Sequence, residues 1–355
     1  MIRGGAPLAP ERTIGEVGER ALLAHIRSRV PLGPGVVIGI GDDAALLATT
    51  PLTLVTTDSL VDGVHFRREW SPPSLLGRKA LTVNLSDIAA MAGTPRFATV
   101  SLALPADVTI GFVDALYDGL LARAAETGVS VVGGNLAATT GPMVIDITLI
   151  GDAGGFVLRR KGAEDGDLVV VTGTLGSAAA GLHLLETGAR LDAEGGIVTA
   201  GLWVGDASDL ARCLRAQLDP APPLAFGRAL AEHALVHAAM DLSDGLSGDL
   251  ATMCEASGLS AWLDPAALPI EACAAAIEKE GGRDAFSLGL HGGEDYELLL
   301  AVPPDALDAL RDVAAVWDVA VTPIGAFVAG PPGVSLRFGE TLRRLRPASH
   351  DHFRS

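Results

Sequence analysis

Five short motifs rich in Asp, with Gly or a small hydroxyl residue beside them, punctuate the chain at the ends of apolar runs. They are Gly39-Ile-Gly-Asp-Asp43, Thr56-Thr-Asp-Ser59 running on to Asp62-Gly-Val-His65, Asn84-Leu-Ser-Asp87, Asp241-Leu-Ser-Asp-Gly245 and Gly292-Gly-Glu-Asp-Tyr-Glu297. This recurrence constrains the fold: strands that end in a carboxylate and hand over to helices, through both halves, imply two α/β domains. Strand ends collected on one sheet edge are where ligands bind. Several carboxylates collected there repel one another unless cations hold them. Hard oxygen donors without matching Cys or His suit Mg²⁺, and Mg²⁺ commonly arrives with phosphate.

The periodicity predicts a helix over 13–29, strands over 36–40 and 52–57, and a helix over 74–92 that places Asn84 and Asp87 on one face. A strand over 97–104, a helix over 110–127 stopped by Gly128, and a strand over 129–132 running into Gly133-Gly-Asn135 follow. A strand over 143–150 completes the first half. Gly151-Asp-Ala-Gly-Gly155 is the natural boundary, which gives domains at 1–150 and 156–355. Beyond it the alternation resumes with a strand over 168–172, a turn at Gly173-Thr-Leu-Gly176 and a helix over 177–186. A helix over 224–234 follows, the Asp241 motif opens another, and a strand runs over 296–302.

With 26 Lys and Arg against 43 Asp and Glu, the formal charge is −17. Such acidity repels nucleic acid and anionic lipid, so neither is an expected partner. No apolar run reaches the roughly 20 residues of a membrane span. The first residues, Met1 to Glu11, carry Gly and Pro where a signal peptide needs an apolar core. A soluble, cytoplasmic protein is expected. Cys213, Cys254 and Cys273 are too few and too scattered for a disulfide framework or zinc site, and read as reduced core residues.

Each motif also has a plain structural explanation. A lone Gly-Ile-Gly-Asp-Asp is a common turn, and Asp at a strand end is an ordinary turn former or helix cap. His65 alone fits a surface loop, and Arg159-Arg-Lys161 fits a solvated basic patch, though it is the one local cluster in this acidic chain suited to phosphate oxygens. Gly173-Thr-Leu-Gly176 lacks the full Gly-x-Gly-x-x-Gly pattern of dinucleotide sites, and neither a Walker sequence nor the protein-kinase signatures occur.

Order and spacing together resemble the thiamine-monophosphate kinases, from Gly39 to Phe353. The most specific segments are Thr57-Asp-Ser-Leu-Val-Asp-Gly-Val-His-Phe66, Val83-Asn-Leu-Ser-Asp-Ile-Ala-Ala-Met-Ala-Gly93 and His291-Gly-Gly-Glu-Asp-Tyr-Glu-Leu298, with Asp351-His-Phe353 at the end. The resemblance implies a two-domain fold like that of aminoimidazole ribonucleotide synthetase. Its N-terminal α/β domain (1–150) binds ATP and Mg²⁺ and joins its sheet to a twin in a homodimer. Its C-terminal α/β domain (156–355) covers the cleft. The implied activity is ATP-dependent phosphorylation of thiamine monophosphate to thiamine diphosphate.

By the same resemblance, Asp43, Thr56, Thr57, Asp58, Asp87, Asn135, Asp241 and Asp244 correspond to metal positions, with Asp43, Asp58 and Asp244 central to catalysis. Tyr117, Gly134, Asn135, Arg160 and Ser243 correspond to ATP contacts, and His65, Glu294 and His350 to substrate contacts. Two positions depart from the family pattern: Asn135 stands where Asp is usual, and His350 where an aromatic residue often stacks on the substrate. The chemistry suits these residues. A phosphate monoester with second pKa ~6 is already largely dianionic at neutral pH, so the acceptor needs no general base. Positioning and charge stabilisation remain the protein's task. A sister synthetase of the superfamily, or a Mg²⁺-nucleotide sensor that binds ATP without consuming it, are the alternatives.

Overall fold

The computed structural model describes residues 9–40, 45–191, 196–198, 207–279, 284–346 and 348; Asp43 and His350 lie outside them. The chain divides into two compact units. One comprises Met1–Leu85 and Thr94–Ala153, the other Ser86–Gly93 and Gly154–Ser355. The short segment carrying Ser86 and Asp87 therefore groups with the second unit, far from it in sequence.

In the first unit α1 (Ile14–Val17) and α2 (Glu19–Arg29) replace the single helix expected over 13–29. The break is Gly18, whose φ of 77° no helix accommodates. Then come β1 (Val36–Ile38), β2 (Leu46–Leu47), β3 (Thr53–Val61), α3 (Pro73–Ala90), β4 (Thr94–Leu104), α4 (Ile110–Thr127), β5 (Ser130–Ala138) and β6 (Val144–Asp152). Thr109 caps α4 by accepting from the Phe112 N–H at 3.2 Å, and Gly128 ends it in the left-handed region. Helices α3 and α4 cross at glycines. A Cβ on Gly77 would stand 1.9 Å from the Leu116 carbonyl oxygen, and one on Gly119 1.7 Å from that of Ser74. The sheet order is β3-β6-β4-β5; β6 runs against β3 and β4, and β4 and β5 are parallel. Gly133-Gly-Asn135 lies inside β5 and not beyond its end, because Gly134 lets the two parallel backbones approach: a Cβ there would meet the Val100 carbonyl oxygen at 1.9 Å.

The second unit continues with β7 (Leu168–Thr172), α5 (Ser177–Glu186), β8 (Arg190–Leu191), β9 (Ile197–Val198), α6 (Ala207–Leu218), α7 (Leu224–His233), β10 (Ala238–Asp241), α8 (Leu246–Ser257) and β11 (Ser260–Leu263). It closes with α9 (Ala272–Lys279), α10 (Ala285–His291), β12 (Leu298–Val302), α11 (Leu307–Val316), β13 (Val321–Val328), β14 (Gly333–Phe338) and β15 (Thr341–Arg344). Seven strands form one sheet, β10-β12-β7-β13-β11-β14-β15, antiparallel throughout except for β11 with β14. Alternate residues of its strands enter different cores. Val169, Val171 and Leu299 pack with Leu246, Leu250 and Met253 of α8. Val170, Leu298 and Leu300 pack with Phe226 and Leu230 of α7 and Leu310 of α11. Apolar material on both faces explains why Leu168-Val-Val-Val171 and Leu298-Leu-Leu300 read as unbroken hydrophobic runs.

One expectation fails outright. Cys213 of α6 and Cys273 of α9 form a disulfide, with Cα atoms 6.5 Å apart, and only Cys254 is a free buried thiol. Sixty residues separate the pair in sequence. Their meeting depends on two helices packing side by side, which spacing alone does not encode.

Candidate active site

In the second unit, the Asp241 and Gly292 motifs meet at one edge of the sheet. Past the ends of β10 and β12 their backbones remain joined: Leu242 N–H donates to the Glu297 carbonyl (2.8 Å), Tyr296 N–H to that of Leu242 (2.9 Å) and Glu294 N–H to that of Ser243 (2.8 Å). So close an approach needs glycine. A Cβ on Gly293 would lie 2.6 Å from the Ser243 carbonyl oxygen. Glu294 and Tyr296 take φ of 68° and 51°, which costs roughly 1–3 kcal/mol each for residues with a side chain. Such strain collects at functional sites.

Carboxylates crowd this edge. Asp241 is 3% exposed and accepts from the Ser86 hydroxyl at 2.9 Å. Burial first, and the negative charge of Asp87 second, push its carboxyl up to about 7, while the Ser86 bond and Arg160 pull it back. Arg160 is exposed, and its segment runs along β10, with Ala239 N–H donating to the Arg159 carbonyl at 2.9 Å. Asp249 is likewise pushed up to about 7 by burial, then by Asp244 and Asp241. Its Oδ2 accepts the N–H groups of Asp244 (3.2 Å) and Gly245 (3.1 Å), which shapes the turn that presents Asp244.

Two further acids hold the Gly292 motif. Asp295 accepts from Gly176 N–H (2.7 Å) and Ala178 N–H (3.2 Å), capping α5. The start of that helix is thereby committed to protein, which removes the dinucleotide-type alternative for Gly173-Thr-Leu-Gly176. Glu297 accepts the Thr172 hydroxyl, whose oxygen accepts the Leu298 N–H at 2.8 Å. Burial raises both acids to about 7. Asp249, Asp295, Glu297 and Gln217, whose Nε2 donates to Glu294 Oε2 at 2.5 Å, escaped the sequence reading. The only available signal was that the first three sit in or just beyond the motifs.

In the first unit the strand register sorts the candidates by face. Ser59, Asp146, Ser101 and Asn135 form one row across the four strands, and Thr57, Thr148, Thr99 and Gly133 the next. Asp146 accepts from the hydroxyls of Ser59 and, at 3.4 Å, Thr57; Thr57 and Thr148 hydroxyls lie 3.2 Å apart. Asp58 belongs to the alternate row with Ile147, Val100 and Gly134. Side chains alternate along a strand, so Thr57 and Asn135 share one face while Thr56 and Asp58 point to the other. Asn135 sits mid-strand beside Ser101, two strands from Asp146. Its strand runs in the same sense as that of Asp58, but their side chains do not converge.

His65 closes the loop after β3, and its Nδ1 accepts from the Val61 N–H at 3.1 Å. An imidazole that accepts at Nδ1 carries its proton on Nε2. Tyr117 is buried on α4, 4% exposed, and burial raises its phenol pKa. Among the described residues no group of three or more His, Cys, Asp or Glu side chains is arranged to hold a metal ion by itself. No described helix is long and apolar enough to cross a membrane.

Comparison with known proteins gives this architecture a class. The family described as AIR synthase related protein, N-terminal domain, matches residues 41–153, and its C-terminal domain matches residues 164–336. The two units are those of an AIR synthase-type fold. Thiamine-monophosphate kinase of Escherichia coli strain K12 is 36% identical over 342 residues, covering 95% of this chain and 98% of its own. The crystal structure of thiamine-monophosphate kinase from Stenotrophomonas maltophilia K279a superposes with TM-score 0.76 at 36% identity, covering 89% of this chain and 95% of its own. AaThiL complexed with AMPPCP and TMP gives 0.69 at 28%, covering 94% and 98%. Within the AIR synthase-related proteins, the chain belongs to the thiamine-monophosphate kinase family.

Proposed function

We propose that this protein transfers the γ-phosphate of ATP to thiamine monophosphate, forming thiamine diphosphate and ADP by direct in-line attack. Family membership supports the ligands, since the AaThiL structure holds both an ATP analogue and TMP. The observation that carries the reading is the meeting of the Asp241 and Gly292 motifs beside Asp87 and Arg160. That edge gathers oxygen donors, strained backbone and a cation, and the Ser–His pair beside it, Ser247 with His291 at 2.8 Å, has its hydroxyl fully buried and accepting the Ala348 N–H, which does not suit a nucleophile. Direct transfer without a covalent enzyme intermediate suits such a set.

The donors fit Mg²⁺. Burial first and the neighbouring Asp87 charge second raise Asp241, a cation beside the two carboxylates relieves that repulsion, and every ligand offered is a hard oxygen. A complete protein cage is not required, because Mg²⁺ commonly takes one or two carboxylates with substrate phosphates. In this reading Asp43, Thr56, Asp58, Asp87, Asp241 and Asp244 hold ions, with Asp43, Asp58 and Asp244 essential to turnover, whereas Thr57 and Asn135, on the opposite face of the first sheet from Asp58, serve a separate ion there. Bound ions would offset charge on the transferring phosphates. Tyr117, Gly134, Asn135, Arg160 and Ser243 serve ATP, and His65, Glu294 and His350 serve the acceptor. Arg160 adds positive charge without a metal.

Residues 1–150 act as the ATP- and Mg²⁺-binding and dimerisation domain, and 156–355 as the C-terminal domain. A homodimer through the first sheet is supported by Val55, 66% exposed on edge strand β3, and Leu52, 62% exposed just before it. The location is cytoplasmic, and the Cys213–Cys273 bridge is fully buried within the fold. Incubating the protein with ATP, Mg²⁺ and thiamine monophosphate tests the proposal. Thiamine diphosphate and ADP should form in equal amounts. Tight ATP binding without product would make the protein a sensor.

A further inference from the structure

We propose that Gln217 is a positioning residue that orients the Glu294 carboxylate and so sets how tightly the phosphate acceptor binds. This rests on the reading of Glu294 as an acceptor contact. Gln217 lies near the end of α6, 4% exposed, and its Nε2 donates to Glu294 Oε2 at 2.5 Å. The bond to Ser243 fixes the Glu294 main chain, at φ 68°, but leaves its side chain to be directed by another group. An amide suits that task. Arg or Lys in its place would orient the carboxylate and also neutralise it, whereas a neutral amide orients it without adding a positive charge. Thiamine monophosphate carries a permanent thiazolium cation, so a retained charge has a use.

The rest of α6 holds Gln217 in place. Cys213, one turn earlier on the same helix face, is tied by the disulfide to Cys273 of α9. Arg212 pairs with Glu271 at 3.5 Å, and Glu271 accepts the Thr174 hydroxyl at 2.9 Å. Helix α5 crosses closely at Gly181, where a Cβ would stand 2.1 Å from the Cys213 carbonyl oxygen. With the helix fixed at these points, the amide approaches Glu294 from a preset direction, and little side-chain freedom is left to lose when the acceptor binds.

The test is steady-state kinetics of Gln217→Leu, Glu294→Gln and the double variant, beside the wild type, with thermal unfolding of each. Leucine keeps most of the volume and removes the donor. Loss of a hydrogen bond to a charged group should raise KM for thiamine monophosphate about ten-fold or more, with KM for ATP changed less than about two-fold. In the Glu294→Gln background, Gln217→Leu should add almost nothing, because its effect passes through Glu294. Equal rises in both KM values, a full effect in the Glu294→Gln background, or a lower melting temperature with unchanged KM would each overturn the role of Gln217. A wild-type protein that transfers no phosphate to thiamine monophosphate would overturn the functional reading itself. Active wild type with an unaffected Gln217→Leu variant overturns only this inference.

Discussion

Replacing Glu297 by Gln should stabilise the protein, but only at neutral to alkaline pH. Burial pushes this carboxyl from 4.5 up to about 7, helped by the negative charge of Asp295 and opposed by the Thr172 hydroxyl. An acid with a raised folded pKa binds its proton more tightly folded than unfolded. The stability it contributes is therefore fully present below about 4.5 and is lost as pH rises through about 7. A difference of about 2.5 in pKa corresponds to on the order of 3 kcal/mol lost by pH 8.5. Glutamine cannot ionise, and its amide oxygen still accepts the Thr172 hydroxyl that in turn accepts the Leu298 N–H. The room it needs exists, because Gly173 has no Cβ; one there would stand 2.0 Å from Glu297 Oε1. Thermal unfolding of both proteins between pH 5 and 8.5 measures this, at roughly 2–4 °C per kcal/mol for a body of this size. The variant should melt several degrees higher at pH 8.5, and the gap should close toward pH 5. A gap that does not vary with pH, or a less stable variant at pH 8.5, would refute the claim that this acid is buried at the expense of stability.

Four further outcomes are expected. Asp244→Asn should cut turnover by orders of magnitude at saturating Mg²⁺ with little change in melting temperature; near-normal turnover would remove it from the metal set. Arg160→Ala should raise KM for ATP more than KM for the acceptor, and the reverse order would assign it to the other ligand. Asn135→Asp should lower the free Mg²⁺ needed for half-maximal rate, since an amide oxygen brings no charge; superimposable titration curves would make Asn135 a structural residue only. Gly119→Ala should lower the melting temperature clearly, because its Cβ would press to 1.7 Å from the Ser74 carbonyl oxygen and wedge α3 from α4, at about 1–3 kcal/mol or more. An unchanged melting temperature would contradict that helix crossing.

Much of this architecture was legible because local signals agreed with the fold. Helix α4, β7 and α5 fall on the expected residues, since a Thr cap, a Gly stop and a Gly-bounded apolar run each carry their own physical cause. What local signals missed was non-local. Gly133-Gly-Asn135 looks like a turn but continues a strand, because a parallel neighbour demands close approach at Gly134. The cysteines looked reduced because pairing across 60 residues is a property of helix packing. The face on which a strand residue lies follows from register: Asp58 and Asn135 share a strand direction, yet alternate away from each other. The motif acids themselves were visible, while their division into ligands and supports was not.

That division explains the cost built into this edge of the second unit. Asp249, Asp295 and Glu297 are carboxylates held largely out of water with pKa values pushed up to about 7, and each is spent on backbone or hydroxyl groups of the protein. Asp249 bends the chain at Asp244, Asp295 ties the Gly292 motif to α5, and Glu297 locks the motif to β7. Their charges and the left-handed φ values of Glu294 and Tyr296 all oppose folding, and they fall within two short segments. Above about pH 7, where all three acids ionise, neutral side chains would serve stability better at each place. Such a concentration of unfavourable choices is what a site looks like when selection acts on the position of Asp241, Asp244 and Glu294 more than on the melting temperature.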